Sequence, residues 1–299
     1  MTRQTLAEWW SVNLYVRDCA ALDAVAPLVV PWLGEQAREA GATRWFFIRY
    51  VDSRGHHLRL RMRADPAAND DLYGRRHELV ELAHARGEGA PAPRILSDPL
   101  LPDIASHPAV VSRVYSPEHV KYGGPAGTAI AESLFTWTSS WHAERDLLAR
   151  PQVPDRAAFG LALAREITRL LPAQQQSPLW HAHLRKWGRR LRGAPALADL
   201  PAFLDDLRPR LEPQAQAYAP MAAPMAARIV TAVRELVATS DRIDPVPVLL
   251  DYVHMEMNRL GLNPVEELVI GRLVAAENPD RTVLDGPKVR NDDGMEVVA

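Results

Sequence analysis

Residues 45–63, W-F-F-I-R-Y-V-D-S-R-G-H-H-L-R-L-R-M-R, leave little choice of local structure. Aromatic and β-branched residues fill six of the first seven positions, a polar break follows at Asp52-Ser53-Arg54-Gly55, and the pattern then alternates strictly. Two apolar-rich arms around a short glycine-containing break predict a β-hairpin. Side chains on a strand alternate between faces. The second arm therefore presents Leu58, Leu60 and Met62 on one side and His57, Arg59, Arg61 and Arg63 on the other. Three guanidinium groups and an imidazole then share a surface with no acid of their own. Such a face is stable if solvated, if paired by carboxylates from elsewhere, or if kept to bind an anion.

The rest of the chain supplies what the hairpin needs to bury its apolar side. Of 299 residues, 47% are hydrophobic and 24% charged, enough apolar material for a sizeable core. The pattern at 9–16 alternates Trp10, Val12, Leu14 and Val16 against a more polar set that includes Tyr15, predicting a half-buried strand. Residues 20–40 have helical spacing and end at Gly41, so the chain opens β-α-β-β. Residues 70–86 predict a second amphipathic helix, 87–108 a Pro- and Gly-rich loop, and 110–115 a short strand. That strand leads into S-P-E-H-V-K-Y-G-G-P at 116–125, where two glycines before a proline mark a tight turn. Helical character resumes over 127–150. Beyond it the helices predicted are 156–171, 177–191, 200–211, 224–239, 245–260 and 264–276, separated by proline-containing turns. The expected fold class is α+β, a sheet unit packed against a mainly helical C-terminal half. One unit is expected over 1–299, with sheet and helix mixed in 1–150, helices in 151–277 and a loosely held tail at 278–299.

Several function classes are excluded. A net charge of −2 gives no global basic footprint for nucleic acid. A single cysteine, Cys19, rules out a disulfide framework and a cysteine-built metal site. His181 and His183, two apart on a helix, face different ways, so no metal is expected. Trp137, Trp141, Trp180 and Trp187 fall at helical spacing and are read as core or groove residues. No apolar run reaches membrane length and residues 1–10 lack the features of a signal peptide, so the expected location is the cytoplasm, without membrane contact. There is no glycine-rich dinucleotide turn, phosphate loop or nucleophile elbow. The run D-Y-V-H-M-E-M-N-R-L-G at 251–261 puts His254 on the same helix side as Leu250 and Met257, with Arg259 near the C-terminal end of the dipole.

Three separated segments carry a resemblance. F-F-I-R-Y…H-L-R-L-R at 46–61, Y-S-P-E-x-x-K-Y-G-G-P at 115–125 and H-M-E-M-N-R-L-G at 254–261 are similar to the thiopeptide-type bacteriocin biosynthesis proteins. That family is homologous to the C-terminal elimination domain of class I lantibiotic dehydratases. The resemblance runs from about residue 10 to 276, and it implies a scaffold for two reactions. One expels glutamate from glutamylated Ser or Thr of a precursor peptide, leaving dehydroamino acids. The other is a formal (4+2) aza-cycloaddition that joins two dehydroalanines into a six-membered nitrogen ring and expels water and the leader peptide. Carried over by motif, the catalytic positions are Arg59, Arg61, Lys121 and His254. Tyr15, Arg49, His57, Glu118, Tyr122 and Tyr252 are expected to contact substrate.

Lys121 departs from the family pattern, in which arginine precedes Y-G-G. Lysine keeps the charge but loses the planar fork that grips a carboxylate through two bonds. The resemblance therefore points first to a free-standing pyridine synthase. The alternative is a glutamate-eliminating component of a split dehydratase, and the third possibility is a non-catalytic leader-binding partner. Expected partners are the leader-bearing precursor peptide and other enzymes of its pathway; no cofactor is expected.

Overall fold

The computed structural model describes residues 7–85, 94–96, 107–150, 153–188, 200–240 and 243–278, together with the backbone of two short strands near the C-terminus. The fold is α+β. Strands β1 (Glu8–Tyr15), β2 (Arg44–Asp52), β3 (Gly55–Ala64) and β4 (Ala109–Ser112) form one antiparallel sheet in the order β2-β3-β1-β4. The hairpin closes where Asp52 Oδ1 accepts the Arg54 N–H at 2.9 Å and Gly55 takes φ of 119°. That φ favours glycine, because a Cβ there would crowd the backbone. Register pairs Leu58 with Leu14, Leu60 with Val12 and Met62 with Trp10, so the apolar arm lies over the apolar face of β1. Helix α1 (Cys19–Glu39), capped by Asp18 on Ala21 N–H at 2.7 Å, covers that face. Trp10, Val12, Leu14, Phe47, Leu58, Leu60 and Met62 are all fully buried there. Each contributes roughly 1.5–3 kcal/mol of burial.

Strand β2 is an edge, but a closed one. Trp45 N–H donates to Thr136 Oγ1 (3.2 Å) and Phe47 N–H to Ser139 Oγ (3.4 Å), both on α4 (Pro125–Ala143). Asn258 on α8 (Pro245–Arg259) accepts from Arg49 N–H at 2.9 Å and donates to the Arg49 carbonyl at 2.8 Å, and Arg259 donates to the Phe47 carbonyl. Helix side chains thus satisfy groups that a bare edge would offer to another strand.

Two helical expectations are corrected. The helix expected over 70–86 is two, α2 (Pro66–Gly74) and α3 (His77–Ala85). The first starts earlier because Asp65 caps Ala67 N–H and Pro66 suits a first turn. The segments 200–211 and 224–239 are one helix, α7 (Leu200–Val237), with Pro209, Pro213, Pro220 and Pro224 inside it. All four prolines are exposed and fall on one helical side, opposite Leu207, Leu211, Ala215, Ala222 and Met225. Proline frees a carbonyl four residues earlier. On the solvent side water can bond it, and the buried stripe stays intact against α5 (Val153–Arg169). The remaining helices are α6 (Ala173–Gly188) and α9 (Pro264–Glu277). Short strands β5 (Lys288–Arg290) and β6 (Glu296–Val298) pair with each other. The loop expected over 87–108 and the loose tail lie almost wholly outside the described residues.

A buried ionic hub ties the halves together. Asp23 on α1 accepts from Arg49 (2.6 Å), Arg156 of α5 (2.9 Å) and Arg94 (3.2 Å), and Arg94 also reaches Glu266 of α9 (2.9 Å). Burial would raise the Asp23 carboxyl, but the three guanidinium groups hold it below its ordinary value. Gly261, which ends α8 with φ of 79°, lies against this hub. A Cβ there would sit 2.7 Å from Asp23 Oδ1, so no other residue fits without displacing the ion pairs.

Candidate active site

The basic face of β3 is present, and its members differ in environment. Arg59 lies with its guanidinium carbon 3.4 Å from the Tyr50 ring centroid, and no carboxylate among the described residues pairs with it. Arg61 lies deeper, 4.7 Å from the Tyr115 ring and 5.5 Å from Phe46, with its Nε buried and unpartnered. Burial pulls the Arg61 guanidinium below its ordinary value, opposed by Tyr115, Glu118 and Glu132. Tyr115 donates to Glu132 Oε1 at 2.7 Å. His57 is fully buried at the other end of the face, Nδ1 on the Gly55 carbonyl (3.1 Å) and its ring against Tyr15 (4.6 Å). Burial lowers its pKa and so favours the neutral ring. Tyr15 is buried too and donates to Asp52 at 2.9 Å.

Glu118 and Lys121 stand on the turn that the two glycines allow. Gly123 and Gly124 have φ of 71° and 104°, and Gly124 leads directly into α4. The close approach there is internal, because a Cβ on Gly127 would sit 1.7 Å from the Tyr122 carbonyl oxygen. Lys121 Nζ lies 3.6 Å from Glu118 and 3.9 Å from Asp251 on α8. Asp251 accepts a closer bond, 2.7 Å, from Lys186 of α6. Tyr122 and Tyr252 stack (5.9 Å, 23°) behind the turn and are buried, so they shape its support. Burial raises both phenols.

His254 is one helical turn beyond Asp251. Its Nδ1 is 2.7 Å from Glu267 Oε2 on α9, its ring is 4.7 Å from the Trp187 ring, and 28% of its side chain is exposed. Among the described residues Nε2 has no hydrogen-bond partner, and it is not among the buried unpartnered atoms. Glu267 also accepts from Trp187 Nε1 (2.8 Å) and approaches His183 Nε2 (3.2 Å). Burial alone would raise Glu267, but the charge of His254 and the bonds from both histidines pull it to about 2. Carboxylate and imidazoles here are bonded to one another. Among the described residues no group of His, Cys, Asp or Glu is arranged to hold a metal ion.

The structure therefore brings Glu118 and Lys121 to Asp251, one turn before His254 on α8, while Arg61 is linked to this group only through the charge of Glu118. It puts Arg49 elsewhere, on the opposite side of the sheet in the Asp23 hub. Sequence reasoning missed Asp251, Lys186, Trp187, His183 and Glu267. Asp251 was visible in the His254 run, but nothing in the sequence showed which groups α6 and α9 would turn toward it. An open cleft of about 460 Å³ between α5 and α7 is lined by Arg165, Glu212 and Glu277 and contains none of these residues. No described helix is long and apolar enough to cross a membrane.

No curated protein matches the chain at a significant level. Among solved structures, the tRNA-dependent lantibiotic dehydratase MibB from Microbispora sp. 107891 is similar at 22% identity and a TM-score of 0.55. That similarity covers 92% of this chain and 28% of MibB, so the chain spans little more than a quarter of that protein. The pyridine synthase TbtD from thiomuracin biosynthesis is similar at 17% identity and a TM-score of 0.64, over 91% of this chain and 98% of TbtD. TsrL is similar at 16% identity and a TM-score of 0.54, over 90% of this chain and 94% of TsrL. At these identities the likeness shows a shared fold. The family described as lantibiotic biosynthesis dehydratase C-term matches residues 9–277. With the basic hairpin, the Lys-Tyr-Gly-Gly turn and the His254 helix all lying inside that span, the chain belongs to the lantibiotic dehydratase C-terminal family.

Proposed function

We propose that the protein is a thiopeptide pyridine synthase, acting on a leader-bearing precursor peptide that contains two dehydroalanines. The observation that carries this reading is Lys121, an ammonium held between Glu118 and Asp251 where a carboxylate-gripping fork would be expected. The likeness to TbtD along nearly its whole length supports it.

In the reaction the amide joining one dehydroalanine to its preceding residue tautomerises to an iminol, giving a 2-azadiene. Two carbon–carbon bonds then form to the second dehydroalanine, one between the β-carbons and one between its α-carbon and the iminol carbon. Loss of the iminol hydroxyl with a proton gives water. Loss of the leader as its amide, with a second proton, gives the aromatic ring. The demand on the protein is to hold two arms of one chain together and to move protons at fixed atoms. Arg59 and Arg61 hold peptide carbonyls, His254 Nε2 takes and returns the iminol proton, and Lys121 donates to a leaving group.

Glutamate elimination is the second reading, favoured by Arg59, whose guanidinium has no carboxylate partner among the described residues and is free to receive a departing one. Mass spectrometry of two reactions with purified protein decides. A fully dehydrated linear precursor loses its leader and gains a new chromophore under the first reading. A glutamylated precursor loses glutamate under the second. Turnover in the second reaction alone overturns the proposal, and full pathway activity of His254→Ala would reduce the protein to a peptide-binding partner.

A further inference from the structure

We propose that Glu267 is a positioning residue that fixes His254 in the tautomer with a bare Nε2, the imidazole being shared through this carboxylate with His183 and Trp187. The inference deepens the functional reading and rests on it for the identity of His254 as the working base.

An ionised carboxylate accepts hydrogen bonds and donates none. Each of its three contacts is therefore a donation toward Glu267: from Trp187 Nε1, from His183 Nε2 and from His254 Nδ1. The His254 contact, at 2.7 Å, is the shortest of the three and is charge-assisted. Nδ1 must then carry a hydrogen whenever Glu267 is charged, and every protonation change at His254 occurs at Nε2. The carboxylate is itself immobile. Glu267 is 1% exposed, Trp187 and His183 clamp one of its oxygens from α6, and Trp187 also covers the His254 ring. Glu267 is the charged group in contact with the imidazole among the described residues, while Asp251, one turn earlier on α8, pairs with Lys186 of α6 at 2.7 Å. A carboxylate that holds an imidazole by its rear nitrogen sets both tautomer and ring angle. His183, whose Nδ1 is buried without a partner among the described residues, serves to hold the carboxylate and is not itself exposed to substrate.

The test is the tautomer, read by nitrogen-15 NMR of histidine-labelled protein in the full chain without substrate. Wild-type protein with neutral His254 should show hydrogen on Nδ1 alone. Glu267→Gln, which keeps the shape but can donate through its amide, should shift His254 toward hydrogen on Nε2. In the active assay it should lower kcat on the order of 10- to 100-fold with little change in KM. A wild-type His254 with hydrogen on Nε2 overturns the proposal, whether or not the variant folds. So does a folded Glu267→Gln with unchanged tautomer and kcat. The NMR readout needs no substrate, so it stands or falls separately from the assignment of the reaction.

Discussion

Arg59 and Arg61 are two residues apart on one strand and yet differ in what they hold. Arg59 spreads over an exposed Tyr50 ring, an arrangement worth about 0.5–1 kcal/mol at such a site. Arg61 is packed between Tyr115 and Phe46 and touches the core as well as the site. Arg59→Ala should therefore cut turnover about tenfold or more while moving stability by no more than about 1 kcal/mol. Arg61→Ala should cut turnover and also lower the melting temperature. Paired steady-state kinetics and thermal melts check this, and equal melts with full activity in both variants would return the face to plain solvation. The period-two pattern made these arginines legible, because alternation is a backbone property. Glu267 was not legible, because it looked like an ordinary first-turn acid beside Glu266, which does complete a capping box with Asn263.

At the scale of elements, the hairpin, the α1 crossover and helices α4, α5, α8 and α9 followed from pattern and caps. The prolines of α7 misled, because their cost depends on which side of the helix they occupy, and tertiary packing decides that. The sheet edge was equally hidden in the sequence. Asn258 supplies both a donor and an acceptor to Arg49, and its loss leaves a backbone N–H and a carbonyl unpaired beneath α8. Asn258→Ala should cost about 2–4 kcal/mol, on the scale of two partly buried groups left unbonded, and should increase amide exchange in β2 more than in β1. A melt within a degree or so of wild type would show that water replaces the clasp.

Over the whole molecule, buried carboxylates set the response to acid. Glu267, Glu256 and Asp23 are each subject to burial that raises them and to cations that outweigh it, so all three lie below their ordinary values. Their contribution is complete above the unfolded values, near pH 4.5 for the glutamates and 3.8 for the aspartate, and is lost as pH falls through the lowered folded values, which for Glu267 is about 2. Glu266, raised by burial, works in the opposite direction and offsets part of this. Urea unfolding should show stability falling steeply from about pH 5 to about pH 3, and a flat profile there would remove these groups as determinants.

The Asp23 hub and the Asn258 clasp also dictate an order of events as the chain is made. Asp23 leaves the ribosome 26 residues before Arg49, 71 before Arg94 and 133 before Arg156. Arg49 in turn waits 209 residues for Asn258 to close its strand. Through most of synthesis the nascent sheet therefore stands with only Arg49 of the three arginines beside Asp23 and with an open edge beside it, the condition in which strands of neighbouring chains pair. Translation speed across α5 to α8, and any chaperone that shields β2 meanwhile, should govern how much of this protein reaches its native state.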